Sequence, residues 1–436
     1  MIGLRQGTVC LLGAGASAEA GYPMANALLH RYRKLLEHLD DGMSYVGPVT
    51  GNRFTQAQIF DRFWSIFDAA STGKASYLED FFAHFDSSRN VGKVLAEDWG
   101  PQVKHFEMKM LRRFRNAAIE LAYAELGAHD RQPAAYLRPL FSLEAPTPYL
   151  SAIATLNFDV CIEQLAHLAQ YRLFDGFQKI QRAAAPPGWD DEKLRNLLKR
   201  WDHISSIGYD FVGFDKAPAE SHLLLKLHGS LGWYCLEEGA ESIGEDENRR
   251  HNPGYRYFRT PYHRFWEERL TNDEQILGVG QYGNSDISRK AGAVWMNPYM
   301  AYARAYKAKL DPLTLEIFRT FAKLVDAAET VVVVGYSWSD PHVNDLLLGG
   351  VARGGKLVNV GSNPLPEGTL RLWRNKFRST FDVLKRRMFV FGGGAKRCFT
   401  ESKVALPNGE DVALDIVEAI RGGVPQEFSL EQKLPA

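Results

Sequence analysis

Five short apolar runs punctuate the chain, and each gives way to a cluster of small or polar residues. The runs are Thr8–Leu12, Tyr149–Leu156, Leu223–Leu227, Thr330–Val334 and Lys356–Val360. The clusters that follow them read, in order, GAGAS, NFD, HGS, GYS and GSN. Apolar runs of about 4–8 residues without polar alternation predict strands buried on both faces, as in a parallel sheet. In an open α/β sheet, ligands bind beyond the carboxyl ends of the strands, where these clusters would gather. The expected fold class is therefore α/β, with a Rossmann-like parallel sheet.

The stretches between the runs follow a different period. From Ala25 to Pro148 the chain reads mainly as helix, with Phe60–Phe67, Tyr77–Phe85 and Phe106–Leu126 spacing their apolar residues by three and four. Those aromatic stripes are expected to pack helix on helix. A second insert, Gly232–Ala328, holds a polar loop (Glu237–Pro253) and then alternating Arg and aromatic residues over Tyr255–Arg269. That segment is read as a partly buried helix or loop with a solvated charged face; the alternative is a surface on which bases stack. After Asn363, Arg371–Arg387 reads as one helix with Trp373, Phe377, Phe381 and Leu384 on its buried face. A turn at Gly392–Gly394 leads into the last segment. The expected organisation is a core of residues 1–24 and 149–364 carrying the insert 232–328, a helical insert 25–148, and a C-terminal helical extension 365–436.

Composition narrows the function classes. Lys and Arg balance Asp and Glu at 52 each over 436 residues, so no global field favours nucleic acid, and direct binding to it is not expected. No segment approaches the roughly 18 apolar residues of a membrane span, and no leader-like pattern opens the chain. Cys10, Cys161, Cys235 and Cys398 are widely scattered and form no CxxC pair, so neither a zinc ribbon nor a disulfide framework is indicated and the reducing cytoplasm is the expected setting.

Chemistry concentrates at the strand ends. Gly13 and Gly15 lie where an apolar strand opens into a helix, a geometry that receives phosphate on backbone N–H groups or serves packing alone. Asn157 and Asp159 stand just beyond the second run and His228 just beyond the third. Asn and Asp also favour turns and helix caps, and a histidine at a strand end can simply satisfy backbone groups.

Taken in order, GAGAS (Gly13–Ser17), TLNFD (Thr155–Asp159), KLHGS (Lys226–Ser230) and VGYSWSD (Val334–Asp340) resemble the NAD-binding core of the Sir2, or sirtuin, family. GSNP (Gly361–Pro364) is similar to the adenosine-ribose end of that core, so the resemblance spans positions 8–364. It is closer to the bacterial SIR2-like NADases of antiphage defence than to protein deacylases. The glycine turn is followed by GYPMANALL, which lacks the Asp and Arg of the deacylase pattern. The interval between HGS and GYS holds only Cys235, too few thiols for the deacylase zinc module.

The resemblance implies roles. Gly13, Ala14, Gly15 and Ser17 would cradle the pyrophosphate, Gly335 and Ser337 would close on it from the other side, and Ser362 and Asn363 would meet the adenosine ribose. Asn157 would hold the nicotinamide ribose or the attacking water, Asp159 the carboxamide, and His228 would act as general base on the ribose hydroxyls. The implied activity is NAD+ glycohydrolysis to nicotinamide and ADP-ribose, with NAD+ as substrate and no zinc. NAD+ depletion would then serve abortive infection, in a homo-oligomer or beside a HerA-like ATPase or another defence partner. The alternatives are an NAD-dependent protein deacylase or ADP-ribosyltransferase, and a non-catalytic sensor of NAD+ or ADP-ribose.

Overall fold

Thr8–Leu12 forms β1, the centre of a seven-stranded, wholly parallel sheet. The other strands, in chain order, are β2 (Ser44–Val46), β3 (Arg53–Thr55), β4 (Ala152–Thr155), β5 (Leu173–Phe174), β6 (Phe177–Lys179), β7 (Tyr209–Phe211), β8 (His222–Lys226), β9 (Gly229–Glu238), β10 (Gly254–Arg259), β11 (Met296–Met300), β12 (Thr330–Val334), β13 (Lys356–Val360), β14 (Met388–Phe391), β15 (Lys403–Ala405) and β16 (Asp411–Ala413). The helices are α1 (Ala14–Ala18), α2 (Ala25–His38), α3 (Cys161–Leu168), α4 (Pro312–Ala327), α5 (Pro341–Ala352), α6 (Glu367–Lys376), α7 (Phe381–Arg386), α8 (Ala395–Thr400) and α9 (Ile416–Gly422). This computed structural model describes residues 7–38, 44–46, 53–55, 133–143, 152–179, 209–219, 221–238, 254–259, 296–300, 312–361, 367–378, 380–405 and 411–430, with a few single positions between 58 and 65.

The main sheet runs β14-β13-β12-β1-β4-β8-β5. From β1 the chain passes through β4 to the edge strand β5, returns to place β8 between those two, and then crosses to the other flank of β1 for β12, β13 and β14. This is the doubly wound order, and its direction reverses between β1 and β12. Such a reversal leaves a crevice beyond the carboxyl ends of the two strands, the ordinary ligand position in these sheets. Register sets the level of that crevice: Leu12 pairs with both Val334 and Thr155, and Thr155 pairs with Lys226. The turns that follow β1, β12, β4 and β8 therefore start side by side.

The unbroken apolar runs are explained by burial on both faces. Along β12 every residue is buried, and alternate valines enter two separate clusters. Val331 and Val333 meet Phe321 and Val325 of α4 and Val343 and Leu347 of α5, while Val332 and Val334 join the layer of α3, α8, α9 and the 3-10 helix Ala135–Leu143. Each such valine contributes roughly 1.5–3 kcal/mol.

Several expectations are corrected. The Arg–aromatic segment is neither helix nor loop in its described part: Tyr255–Arg259 lies in β10, inside an antiparallel sheet of order β11-β9-β10-β7-β6. Buried Arg259 pairs with Asp175 at 2.8 Å and stacks over Tyr209 at 3.8 Å, so its guanidinium is held by protein. Residues 260–269 lie outside the described residues. The predicted single helix Arg371–Arg387 is two helices, α6 and α7, parted where the Thr380 hydroxyl bonds the Phe377 carbonyl. The extension after residue 365 is not purely helical, because β14 joins the main sheet beside β13. Within 25–148, Ala135–Leu143 packs Leu137, Leu140 and Phe141 into the core. The helices expected over 77–85 and 106–126, and most of 60–67, lie outside the described residues. Among the described residues no helix is long and apolar enough to cross a membrane.

Cys10, Cys161 and Cys398 are buried free thiols. Burial pushes Cys10 and Cys398 up to about 12, and lifts Cys161 well above the usual thiol range with the Asp159 carboxylate adding to it. Since the thiolate is the nucleophile, iodoacetamide at pH 8 is expected to leave all three unmodified in the native protein and to alkylate all three in urea. Peptide mass spectrometry reads this directly, and native-state labelling at any of them would contradict the burial.

Candidate functional site

At the switch point the turns after β1 and β12 interlock. Gly13 donates its N–H to the Val334 carbonyl and Gly15 to the Gly335 carbonyl, both at 2.9 Å. Gly335 has φ +61°, and a Cβ there would stand 2.2 Å from the Ala16 nitrogen. The glycines thus make room for each other's backbone. Both N–H groups are thereby donated to the end of β12 and the turn that follows it.

The turn after β4 closes on the same place. Asn157 directs both amide donors inward, to the Gly13 carbonyl at 3.1 Å and the Ser17 hydroxyl at 3.2 Å. A carbonyl can only accept, so this contact fixes which end of the amide is nitrogen. Among the described residues no donor meets the Asn157 Oδ1, which is left to accept from a ligand or water. Ser17, buried, donates its hydroxyl to Asp159 Oδ2 at 2.9 Å. Asp159 Oδ1 accepts the Cys161 N–H at 3.1 Å, an Asx turn at the start of α3. Ser17 and Asp159 are therefore bonded to each other, and Asp159 also to backbone.

His228 follows β8 and is buried, its ring 6.2 Å from that of Phe158. Its Nε2 meets Asp340 Oδ2 at 3.2 Å. Among the described residues Nδ1 has no partner. Beneath both turns lies Lys226, fully buried, whose ammonium bonds the Asp159 carbonyl and Glu163 Oε1, the latter at 2.8 Å. Burial pushes the Glu163 carboxyl up, against the opposing pull of Lys226. Tyr136 adds a bond from its hydroxyl to the Ala16 carbonyl at 2.7 Å, and burial raises that phenol above its ordinary range.

The structure thus brings together Gly13, Gly15, Ser17, Asn157, Asp159 and Gly335, with Ala14 in the first turn of α1 and His228 across Phe158. It does not bring Ser337 among them: that residue is exposed, its hydroxyl 2.9 Å from Ser339. Ser362 and Asn363 lie outside the described residues. Sequence reasoning missed Asp340, Lys226, Glu163 and Tyr136. A lysine inside an apolar strand was a usable signal, because such a residue must find a buried partner. Among the described residues no group of three or more metal-ligating side chains assembles.

No family model matches the chain, and no curated protein matches it. Solved structures do. A Sir2 homolog–NAD complex is 13% identical, with 97% of this chain and 93% of that one covered at a TM-score of 0.38. A Sir2 bound to acetylated peptide is 14% identical, covering 92% and 93% at 0.36. A Sir2 in complex with the inhibitor EX-527, 2'-O-acetyl-ADP-ribose and deacetylated p53 peptide gives 14%, 92%, 94% and 0.36. Scores this low assign no activity, and the α/β fold stands on the strand order itself.

Proposed function

We propose that the protein is an NAD+ glycohydrolase whose site is the crevice between β1 and β12. The observation that carries this is that two half-satisfied groups are each anchored to a turn bordering it, Asn157 to the turn after β1 and His228 to the turn after β12. Asn157 is anchored through its nitrogen and His228 through Nε2, and among the described residues nothing engages Asn157 Oδ1 or His228 Nδ1. The motif resemblance supports NAD+ as the substrate.

The chemistry suits these groups. When the bond between the nicotinamide nitrogen and the ribose carbon breaks, the electron pair leaves with a neutral pyridine, so no acid is needed. The remaining oxocarbenium-like centre is met by water. Asn157 Oδ1 orients that water or a ribose hydroxyl, and His228 accepts the proton as the new C–O bond forms. The products are nicotinamide and ADP-ribose. Loss of cellular NAD+ as a response to phage, acting through an oligomer or a defence partner such as a HerA-like ATPase, is the physiological part of the same proposal.

Chromatography of NAD+ incubated with wild type, His228→Ala and Asn157→Ala tests it. Wild type is expected to release nicotinamide and ADP-ribose, and His228→Ala to be slower by roughly 10²–10⁴-fold. Intact NAD+ after incubation with wild type, or equal turnover in the variants, would overturn the assignment.

A further inference from the structure

Asp340 caps α5: its Oδ1 accepts the N–H groups of His342 at 2.9 Å and Val343 at 3.4 Å. Capping does not explain the rest of its geometry. Asp415 caps α9 through Oδ1 in the same way, bonding Val417 and Glu418 N–H groups, but it sits exposed on the surface. Asp340 is 3% exposed and turns its second oxygen to His228 Nε2.

The loop that carries Asp340 is built to hold that aim. Tyr336 accepts the Asp340 N–H on its hydroxyl at 3.0 Å and donates to Asn344 Oδ1 at 2.9 Å. Asn344 in turn donates to the Trp338 carbonyl at 2.9 Å. Trp338 has φ +59°, a left-handed conformation that a bulky residue keeps only when its surroundings dictate it. Its indole is held by the Asn359 side chain at 3.3 Å and by the ring of Trp373 at 5.2 Å. Every one of these contacts restrains Asp340.

We propose that Asp340 is the positioning residue of the site. Its carboxylate, fixed by the helix it caps, holds the proton of His228 on Nε2 and so presents Nδ1 as the basic nitrogen. A carboxylate can only accept, so the ring nitrogen that faces it must carry the hydrogen. When Nδ1 takes a proton from water, the carboxylate also stabilises the charge that the ring acquires. The inference rests on the proposed hydrolysis for its purpose, but its geometry is testable without turnover.

The double duty of Asp340 makes the test specific. In Asp340→Asn, Oδ1 must stay on the α5 N–H groups, because an amide nitrogen cannot accept them. The Nδ2 hydrogens then face His228 Nε2 and force the proton onto Nδ1. Asp340→Ser keeps a capping oxygen but cannot reach the imidazole. Full-length protein labelled with [15N]histidine, with the His228 signals identified by their loss in His228→Ala, reads the tautomer by NMR.

In wild type the neutral ring is expected to show a pyrrole-like Nε2 and a pyridine-like Nδ1. Asp340→Asn should reverse that order and lower kcat for NAD+ by roughly 10²–10⁴-fold, as misplacing the tautomer does in other His-dependent hydrolases, with KM little changed. Asp340→Ser should show both tautomers while keeping the wild-type melting curve. An Asp340→Asn protein whose His228 keeps its proton on Nε2, or an Asp340→Ser protein with wild-type kcat, overturns the proposal. If wild type shows the expected tautomer but leaves NAD+ intact, hydrolysis falls and the dyad stands. If hydrolysis persists while the substitutions leave the ring unchanged, the dyad alone falls.

Discussion

Gly335→Ala is expected to destabilise the protein by roughly 2–5 kcal/mol and to abolish turnover, even though glycine gains only a methyl group. At φ +61° the left-handed region costs an alanine about 1–2 kcal/mol. The new Cβ would also stand 2.2 Å from the Ala16 nitrogen and 2.3 Å from the Gly15 carbonyl carbon. Both are backbone atoms of the turn that opens α1, so no side-chain rotation relieves the clash, and overpacking of this kind adds about 1–3 kcal/mol. Relief requires β1 and β12 to part at their carboxyl ends, breaking the bonds from Gly13 and Gly15. Gly368→Ala is the matched control. It lies in α6 with nothing within 4 Å of its Cβ, and alanine there should be neutral or slightly stabilising. Urea midpoints for the two variants check the contrast; a Gly335→Ala midpoint within about 1 kcal/mol of wild type would mean that the interlocked turns do not hold the site.

How much of this was legible in the sequence follows from what each residue touches. Thr8–Leu12, Thr330–Val334 and Lys356–Val360 could be read to the residue, because burial on both faces leaves an unbroken apolar run. Met388–Phe391 is just as apolar, but at four residues, close behind a helix, it was too short to stand out as a strand from the extension around it. In β10 the alternation is real, with Tyr257 and Arg259 both buried. An inward arginine defeats the pattern rule, since what makes it tolerable, Asp175 and Tyr209, lies far away in the chain.

The site divides along the same line. That Asn157 and His228 each stand at a strand end was readable from the runs before them; that the two strands are neighbours was not. That Gly13 and Gly15 serve Gly335 was not, because a glycine shows that something approaches closely without showing what. Asp340 was hidden by its sequence context: Ser-Asp-Pro before a helix is fully accounted for by capping, and nothing local announces a second partner 112 positions away.

Lys226→Met should be nearly as damaging as the glycine substitution, for an electrostatic reason. Lys226 and Glu163 are almost wholly buried at 2.8 Å, and the Glu163 Oε2 has no hydrogen-bond partner among the described residues. Removing one member of a buried pair leaves the other charge uncompensated, at a cost of about 3–5 kcal/mol, whereas replacing both by apolar residues is often neutral. Lys226→Met/Glu163→Leu is therefore expected to be more stable than Lys226→Met alone. The sign with pH follows from the raised carboxyl of Glu163. A group whose folded value exceeds its unfolded one destabilises as pH rises through the folded value, and deleting the ammonium removes the main influence that lowers it. The deficit of Lys226→Met should thus shrink from pH 8 to pH 5. Because Lys226 also bonds the Asp159 carbonyl, both lysine variants should lose turnover by releasing the turn that aims Asn157, even where the double variant regains stability. Urea unfolding at the two pH values, alongside NAD+ turnover, separates these effects: a double variant as unstable as the sum of the singles would show that the pair is not coupled, and one with full turnover would show that the lysine does not position the turn.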